Sequence, residues 1–289
     1  MSTSVAGVAT LIFNLSTVNF ENSILRPNGN LLLTTITNGS LYEINPLAAN
    51  PQASLVATFG GASVLGIDSI GYDKYAIAGG IAGEGMSAYT NESIYTIDLS
   101  TDSTTAVPTV AATIPDAQLL DGLVALPRNP SILLVTDALQ GVIYRVDLRN
   151  GTSTIAVQDD ALSGSPGVNG IKILGDYAHF TNTATETYGK FRITPDGQQA
   201  GNIEIIATDA ASDDFALAKN GVAYLGSQSS PIEIVSVTAN GTKTTVATNE
   251  SMGRPCSLDL TEDGNEGYVT TASGEVYRFA VPVAGARRG

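Results

Sequence analysis

The chain has 289 residues, 43% of them hydrophobic and 15% charged, with a formal net charge of −14. Such a composition folds around a core, and its acidic surface repels phosphate, so nucleic acid and anionic membranes are not expected partners. A single cysteine, Cys256, and a single histidine, His179, exclude an intrachain disulfide, a zinc site built from cysteines and a His-rich metal site. In chain order, the first element is a lone strand, VATLIFNL, at residues 8–15. A unit then begins at Glu21 (ENSILRPNGNLLLTTITNGSLYEINP). It returns at Asp68, Asp121, Asn169, Asp213 and near Cys256, at spacings of 47, 53, 48, 44 and 43 residues. Each unit holds three short β-rich runs cut by Gly, Asn, Asp or Pro turns. Five units add a fourth run: ASLVATF, TVAATI, TSTIAV, IEIIAT and TKTTVAT. Four antiparallel strands every 40–50 residues or so is the pattern of a β-propeller blade. The sixth unit stops after three strands. The N-terminal run supplies the fourth, because a ring closed by one strand from each end has no free edge. The expectation is therefore an all-β, six-bladed β-propeller, one domain over residues 1–289, closed by the N-terminal strand in the last blade. The longest irregular stretch, GGIAGEGMSAYTNES at residues 79–93, is expected to be a loop overhanging one mouth of the channel.

The first strand of a propeller blade lines the axis, so its opening residue faces the channel. The openers read as Glu21, Asp68, Asp121, Asn169, Asp213 and the Cys256/Ser257 pair. Asp and Asn also begin strands for a local reason, since they bond their own backbone in turns. Around one axis, however, several oxygen-bearing side chains repel or go unsatisfied unless something binds them. A hard cation such as Ca2+ takes such oxygens. His179, in YAHFTNT, falls on the second strand of blade four, a position suited to packing between blades. Cys256 reads as a small buried residue. No phosphate-binding loop is present, because GGIAGEG lacks a strand-to-helix context. No run approaches 18 apolar residues, and the N-terminus lacks the signal-peptide pattern. Six glycosylation sequons, at Asn14, Asn38, Asn91, Asn150, Asn240 and Asn249, fit a secretory chain whose signal is already removed; a cytoplasmic chain is the alternative.

The layout and its openers resemble the SMP-30/gluconolactonase/luciferin-regenerating family over nearly the whole chain. That resemblance implies one divalent metal, held by a Glu in blade one, the Asn of an NG pair and a later Asp. The matching positions here are Glu21, Asn169 of NGIK and Asp213 of DDFALAKNG. Where the lactonases carry Arg-x-Asn-Asp-Gly, this chain has Gln118-Leu119-Leu120-Asp121-Gly122. An apolar organic ligand suits such a mouth better than a sugar acid, with Gln118, Leu120 and His179 as expected substrate contacts. A second resemblance is carried, in order, by PNGNLLLT, IPDAQLLDG, NGIK, DDFAL and YVTT. It is to fungal propellers of secondary metabolism, among them hetero-Diels–Alderases that join a tropolone o-quinone methide to a sesquiterpene. It implies a cyclase that requires no cofactor and orients a polyene against a tropolone-type partner. A carboxyl (Asp68, Asp121 or Asp214) would assist loss of water from a hydroxymethyl precursor. One alternative is a calcium-dependent lactonase, in which the metal polarises a carbonyl and Asp121 acts as base. The other is a non-catalytic ligand-binding propeller, against which the low aromatic content of 6% argues. The expected partner is a small molecule, bound by a monomer.

Overall fold

The computed structural model describes residues 6–83, 89–101 and 106–282. The six units form six sheets, and within each unit its own strands run antiparallel and in sequence order from the axis outwards. The innermost strands are Phe20–Leu25, Ser63–Gly71, Leu120–Leu126, Val168–Leu174, Phe215–Leu217 and Pro255–Leu260. In the last blade the chain supplies Pro255–Leu260, Glu266–Thr271 and Glu275–Ala280. The fourth strand is Thr10–Asn14, with Leu11 opposite Tyr277 and Asn14 opposite Glu275. The ring closes as the sequence implies. A further pairing was not expected: Gly7–Val8 runs parallel to Lys243–Thr248 and gives blade five a fifth strand. One N-terminal segment therefore clips two blades.

Strand residues alternate between the two faces of a sheet, and each face packs on a neighbouring blade. The apolar core is accordingly cut into six slices, one per blade interface. Leu32, Tyr75 and Ile77 lie in the slice between blades one and two, and Phe180, Ile171 and Leu134 in that between blades three and four. The slices surround the axis without occupying it, which leaves the axis to polar side chains. Among the described residues, the helical structure is a 3-10 turn at Asp160–Leu162, and no helix is long and apolar enough to cross a membrane.

The loop expected at residues 79–93 is mostly sheet. Lys74–Ala82 and Tyr89–Asp98 pair as far as Ala82 opposite Tyr89, and only residues 84–88 fall outside the described structure. The glycines that suggested a loop answer to close packing instead. A Cβ on Gly79 would meet the Ser63 carbonyl oxygen at 2.3 Å, and one on Gly80 would meet Glu92 Oε1 at 2.0 Å.

Candidate active site at the propeller axis

The inner strand of five blades carries a register shift at one recurring place. The shifts fall between Phe20 and Ser23, Val64 and Ile67, Leu120 and Leu123, Val168 and Ile171, and Pro255 and Ser257. A bulge takes its residues out of the ladder and re-aims their side chains. The residues so released are Glu21, Leu65, Asp121 and Asn169, each with its successor, and Cys256 alone. In blade five, Asp213 and Asp214 stand just before the strand that starts at Phe215. A threonine on the second strand of four blades ties the ring together. Thr34, Thr136, Thr181 and Thr270 donate to the carbonyls of Leu65, Asn169, Asp213 and Glu21, the openers of the following blades. The successors Gly66, Gly122 and Gly170 have no room for a Cβ, which would lie 2.1–2.3 Å from the next blade's Asp121 O, Asn169 O and Asp214 Oδ1.

In ring order the openers are thus Glu21, Leu65, Asp121, Asn169, Asp213 and Cys256. The opener of blade two is Leu65 and not Asp68, which lies three residues further down the channel. Glu21, Asp121, Asn169 and Cys256 are all buried, and ligand atoms of Glu21, Asp213 and Cys256 lie within 4.8 Å of one another. Asn169 Nδ2 donates to Asp213 Oδ1, which leaves Asn169 Oδ1 buried with no partner. Burial pushes Glu21 well above the usual carboxylate range, and Asp213 and Asp121 push it further. Asp121 is raised in the same way, by burial and then by Asp213 and Asp214. Burial brings Asp213 up to about 7, although Arg254 and its bond from Asn169 pull it down. These are donors that a divalent cation fits: two carboxylates compressed against each other and an amide oxygen without a partner.

The remaining expected residues fall elsewhere. Asp214 is already saturated. Its Oδ2 accepts from Lys172 Nζ at 2.6 Å and Asn22 Nδ2 at 2.8 Å, and its Oδ1 from Phe215 N at 2.7 Å. Asp68 accepts from the backbone N–H groups of Ala125 and Ser69, both at 2.8 Å. With Lys172 and Asp259 these two form a second tier further along the axis, in which Lys172 is paired with Asp214. Leu120 is fully buried in the slice between blades two and three, so it packs the ring instead of lining a mouth. The Gln118 side chain is exposed, and its N–H is tied to Asp137 Oδ2 at 2.7 Å. His179 bonds the Tyr188 hydroxyl through Nδ1 at 2.7 Å, and burial, with Lys190 nearby, holds its pKa down at about 4. It is a neutral packing residue, away from the axis.

Three residues at the mouth escaped the sequence reading. Arg254 is exposed, and its charge partly offsets the rise that burial gives Glu21, Asp213 and the Cys256 thiol. Tyr89 is raised to about 12 by burial and then by Asp121, Glu21 and Glu92. Glu92 accepts from Leu120 N at 2.8 Å through Oε2, while its Oε1 is buried without a partner. The Gly66, Gly122 and Gly170 series was the available signal, since VLGI, LDGL and VNGI align the openers one residue before each glycine.

Glu92 and Asp259 make the stability of the ring depend on pH. Burial raises both to about 7, from 4.5 and 3.8. Between these limits the folded chain holds protons that the unfolded chain releases, so stability is full below pH 4 and is lost as pH rises through 7. The melting temperature is expected to fall between pH 5 and pH 8, and Glu92→Gln to flatten that fall. A melting temperature that climbs over this range in both proteins would refute the assignment.

No protein-family model matches the chain. A protein of Sarocladium schorii named "Putative hetero-Diels-Alderase" is 27% identical over 230 residues, 68% of this chain and 57% of that one. A protein of a Phoma species with the same name is 29% identical over 182 residues, 53% of this chain and 52% of that one. The curated relatives are hetero-Diels–Alderases by name. The chain spans little more than half of their length. Among solved structures, the calcium-binding protein regucalcin of Agrobacterium tumefaciens superposes with a TM-score of 0.72 at 13% identity, covering 97% of this chain and 96% of that one. A gluconolactonase of Xanthomonas campestris gives 0.68 at 10% identity, covering 96% and 99%. At such identities the likeness to the solved structures is one of fold. The chain is therefore a six-bladed propeller with gluconolactonase-like neighbours and relatives named for a cycloaddition.

Proposed function

We propose that the chain is a small-molecule enzyme that catalyses a stereoselective hetero-Diels–Alder reaction at the upper end of its channel. The reaction joins a tropolone-type o-quinone methide to a sesquiterpene alkene. The supporting observation is the position of Asp121, a buried acid that burial and the nearby Asp213 and Asp214 push well above the usual carboxylate range, and which opens the blade between the apolar opener Leu65 and Asn169. Leu65 is buried yet belongs to none of the inter-blade slices described, which suits an apolar wall on the channel.

The chemistry runs through one carboxyl. Asp121 gives its proton to the hydroxyl of a hydroxymethyl-tropolone, the C–O bond breaks and water leaves. The ring hydroxyl returns a proton to the carboxylate, which regenerates the acid and leaves the quinone methide. The carboxyl then donates a hydrogen bond to the heterodiene oxygen, while the channel holds the alkene against one face. One carbon–carbon and one carbon–oxygen bond form with no net proton transfer. A divalent cation held by Glu21, Asn169 and Asp213 would polarise the same oxygen when bound.

Incubation of the purified protein with a hydroxymethyl-tropolone precursor and a humulene-type alkene is expected to give one dihydropyran stereoisomer in excess over the spontaneous mixture. Asp121→Asn is expected to slow product formation by roughly 10²–10⁴-fold, the usual worth of a positioned acid. Calcium-dependent hydrolysis of a simple lactone, with the spontaneous product ratio unchanged, would make the chain a lactonase instead.

A further inference from the structure

Every opener on the axis except Leu65 carries a donor atom, and four of these openers, beside Asp121, make one continuous arc. Asn169, Asp213, Cys256 and Glu21 open blades four, five, six and one, four consecutive positions in one arc. Ligand atoms of Glu21, Asp213 and Cys256 already lie within 4.8 Å of one another. The Asn169 amide is held against Asp213 through Nδ2, and its Oδ1 has no partner although the residue is only 2% exposed. Turning the amide over would set Oδ1 against a carboxylate, so the bare oxygen follows from the chemistry of the pair. Cys256 is 1% exposed and belongs to none of the apolar slices described, so its sulfur serves the arc and not the core.

We propose that this arc is a four-coordinate site for a zinc-class divalent ion, with Cys256 contributing a thiolate beside oxygens from Glu21, Asp213 and Asn169. This goes beyond the cycloaddition, which stands or falls separately. The chain's lone cysteine excludes zinc sites built on several sulfurs; it leaves room for one thiolate among oxygens. Zinc takes four ligands, with sulfur at about 2.3 Å and carboxylate oxygen at about 2.0–2.2 Å, so a contraction of the arc by about an ångström seats it. The calcium implied by the family resemblance asks for about six to eight oxygens. Here the arc offers three oxygen-bearing side chains and a sulfur, and a thiolate selects the softer ion. Charge agrees as well: two carboxylates and a thiolate are matched by a divalent ion together with Arg254, whose charge acts on Glu21, Asp213 and Cys256. As the metal–sulfur bond forms, the thiol proton and any proton on the two carboxyls leave to the buffer.

The test uses the full chain, stripped with a chelator and titrated with Co2+, Zn2+ or Ca2+. With Co2+, one equivalent is expected to produce a thiolate-to-cobalt charge-transfer band in the near ultraviolet, which Zn2+ then abolishes. Only Cys256 can give that band, because the chain has no other cysteine. Zn2+ is expected to raise the melting temperature by several degrees, and millimolar Ca2+ to leave it unchanged. Cys256→Ser is expected to lose the band and to weaken Zn2+ at least tenfold. Glu21→Gln, which keeps the thiol and the side-chain volume, should weaken Zn2+ as well. A melting response to Ca2+ with no cobalt–sulfur band, a band that survives Cys256→Ser, or no response to any of the three ions would each overturn the proposal. None of these outcomes alters the stereochemical assay of the cycloaddition.

Discussion

Removing residues 1–15 is expected to leave no soluble, cooperatively folding protein. The deletion takes away the fourth strand of the last blade, Thr10–Asn14, and the parallel strand Gly7–Val8 on blade five. It also removes Ala9, which is fully buried, and Ile12, Phe13 and Leu15, which pack on the slice between blades six and one. Each large apolar side chain contributes about 1.5–3 kcal/mol when fully buried, against a total stability of about 5–15 kcal/mol for a typical domain. Half-burial scales those contributions down, yet their sum remains a large share of the total. The loss is also topological. Glu275–Ala280 becomes a bare edge, and an unpaired edge next to exposed apolar surface recruits other chains. Soluble yield and the denaturant midpoint of the truncated chain measure the effect; a soluble product with an unchanged midpoint would show that the ring does not depend on this strand.

Leu120→Arg is expected to be nearly as damaging. Leu120 is fully buried against Ala78, Ile94 and Leu123, and its N–H is engaged by Glu92 Oε2. An arginine there loses the packing of a leucine, worth about 2–5 kcal/mol, and buries a charge without a built partner, worth about 3–5 kcal/mol. Glu92 is the acid at hand, but burial raises it to about 7, so only about half of it carries a charge at neutral pH and less of it below. Leu120→Met, which conserves volume, is expected to lose less than about 1.5 kcal/mol. Equal urea midpoints for Leu120→Arg and the parent chain would mean that the side chain faces open space, contrary to its place in the slice.

The fold was readable because its signals are redundant. Four apolar runs per unit, turns at regular intervals and a sixth unit one strand short all point to the same ring. The site was only partly readable. Glu21, Asn169 and Asp213 converge with Asp121 because each opener is tied to its unit by an immediate neighbour, and the glycine of NG and DG marks the bulge. Asp68 is not an opener because the position is marked by Gly66 and its residue, Leu65, is apolar, which a pattern of polar openers does not contain. Leu120 was misplaced for a related reason. It adjoins Asp121 in sequence, but the bulge turns only Asp121 and its successor towards the axis, and Leu120 stays in the ladder opposite Asp137. Arg254, Tyr89 and Glu92 reach the mouth from outside the repeating pattern, so no periodicity could reveal them. That Cys256 lies within ligand distance of Glu21 depends on ring closure, which brings residues from the two ends of the sequence together.

The bulges also have a consequence for how such a protein changes over generations. A residue within the ladder answers to partners on adjacent strands, and replacing it disturbs the pairing and the slice behind it. An opener is released from that obligation and answers chiefly to the other five around the axis. Substitutions there alter charge, metal preference and shape at a point where the strands have already stopped depending on the side chain. A lineage can therefore exchange one chemistry for another through intermediates that all still fold. The inheritance of the ring and the inheritance of its reaction become separate matters, and six positions are enough to part them.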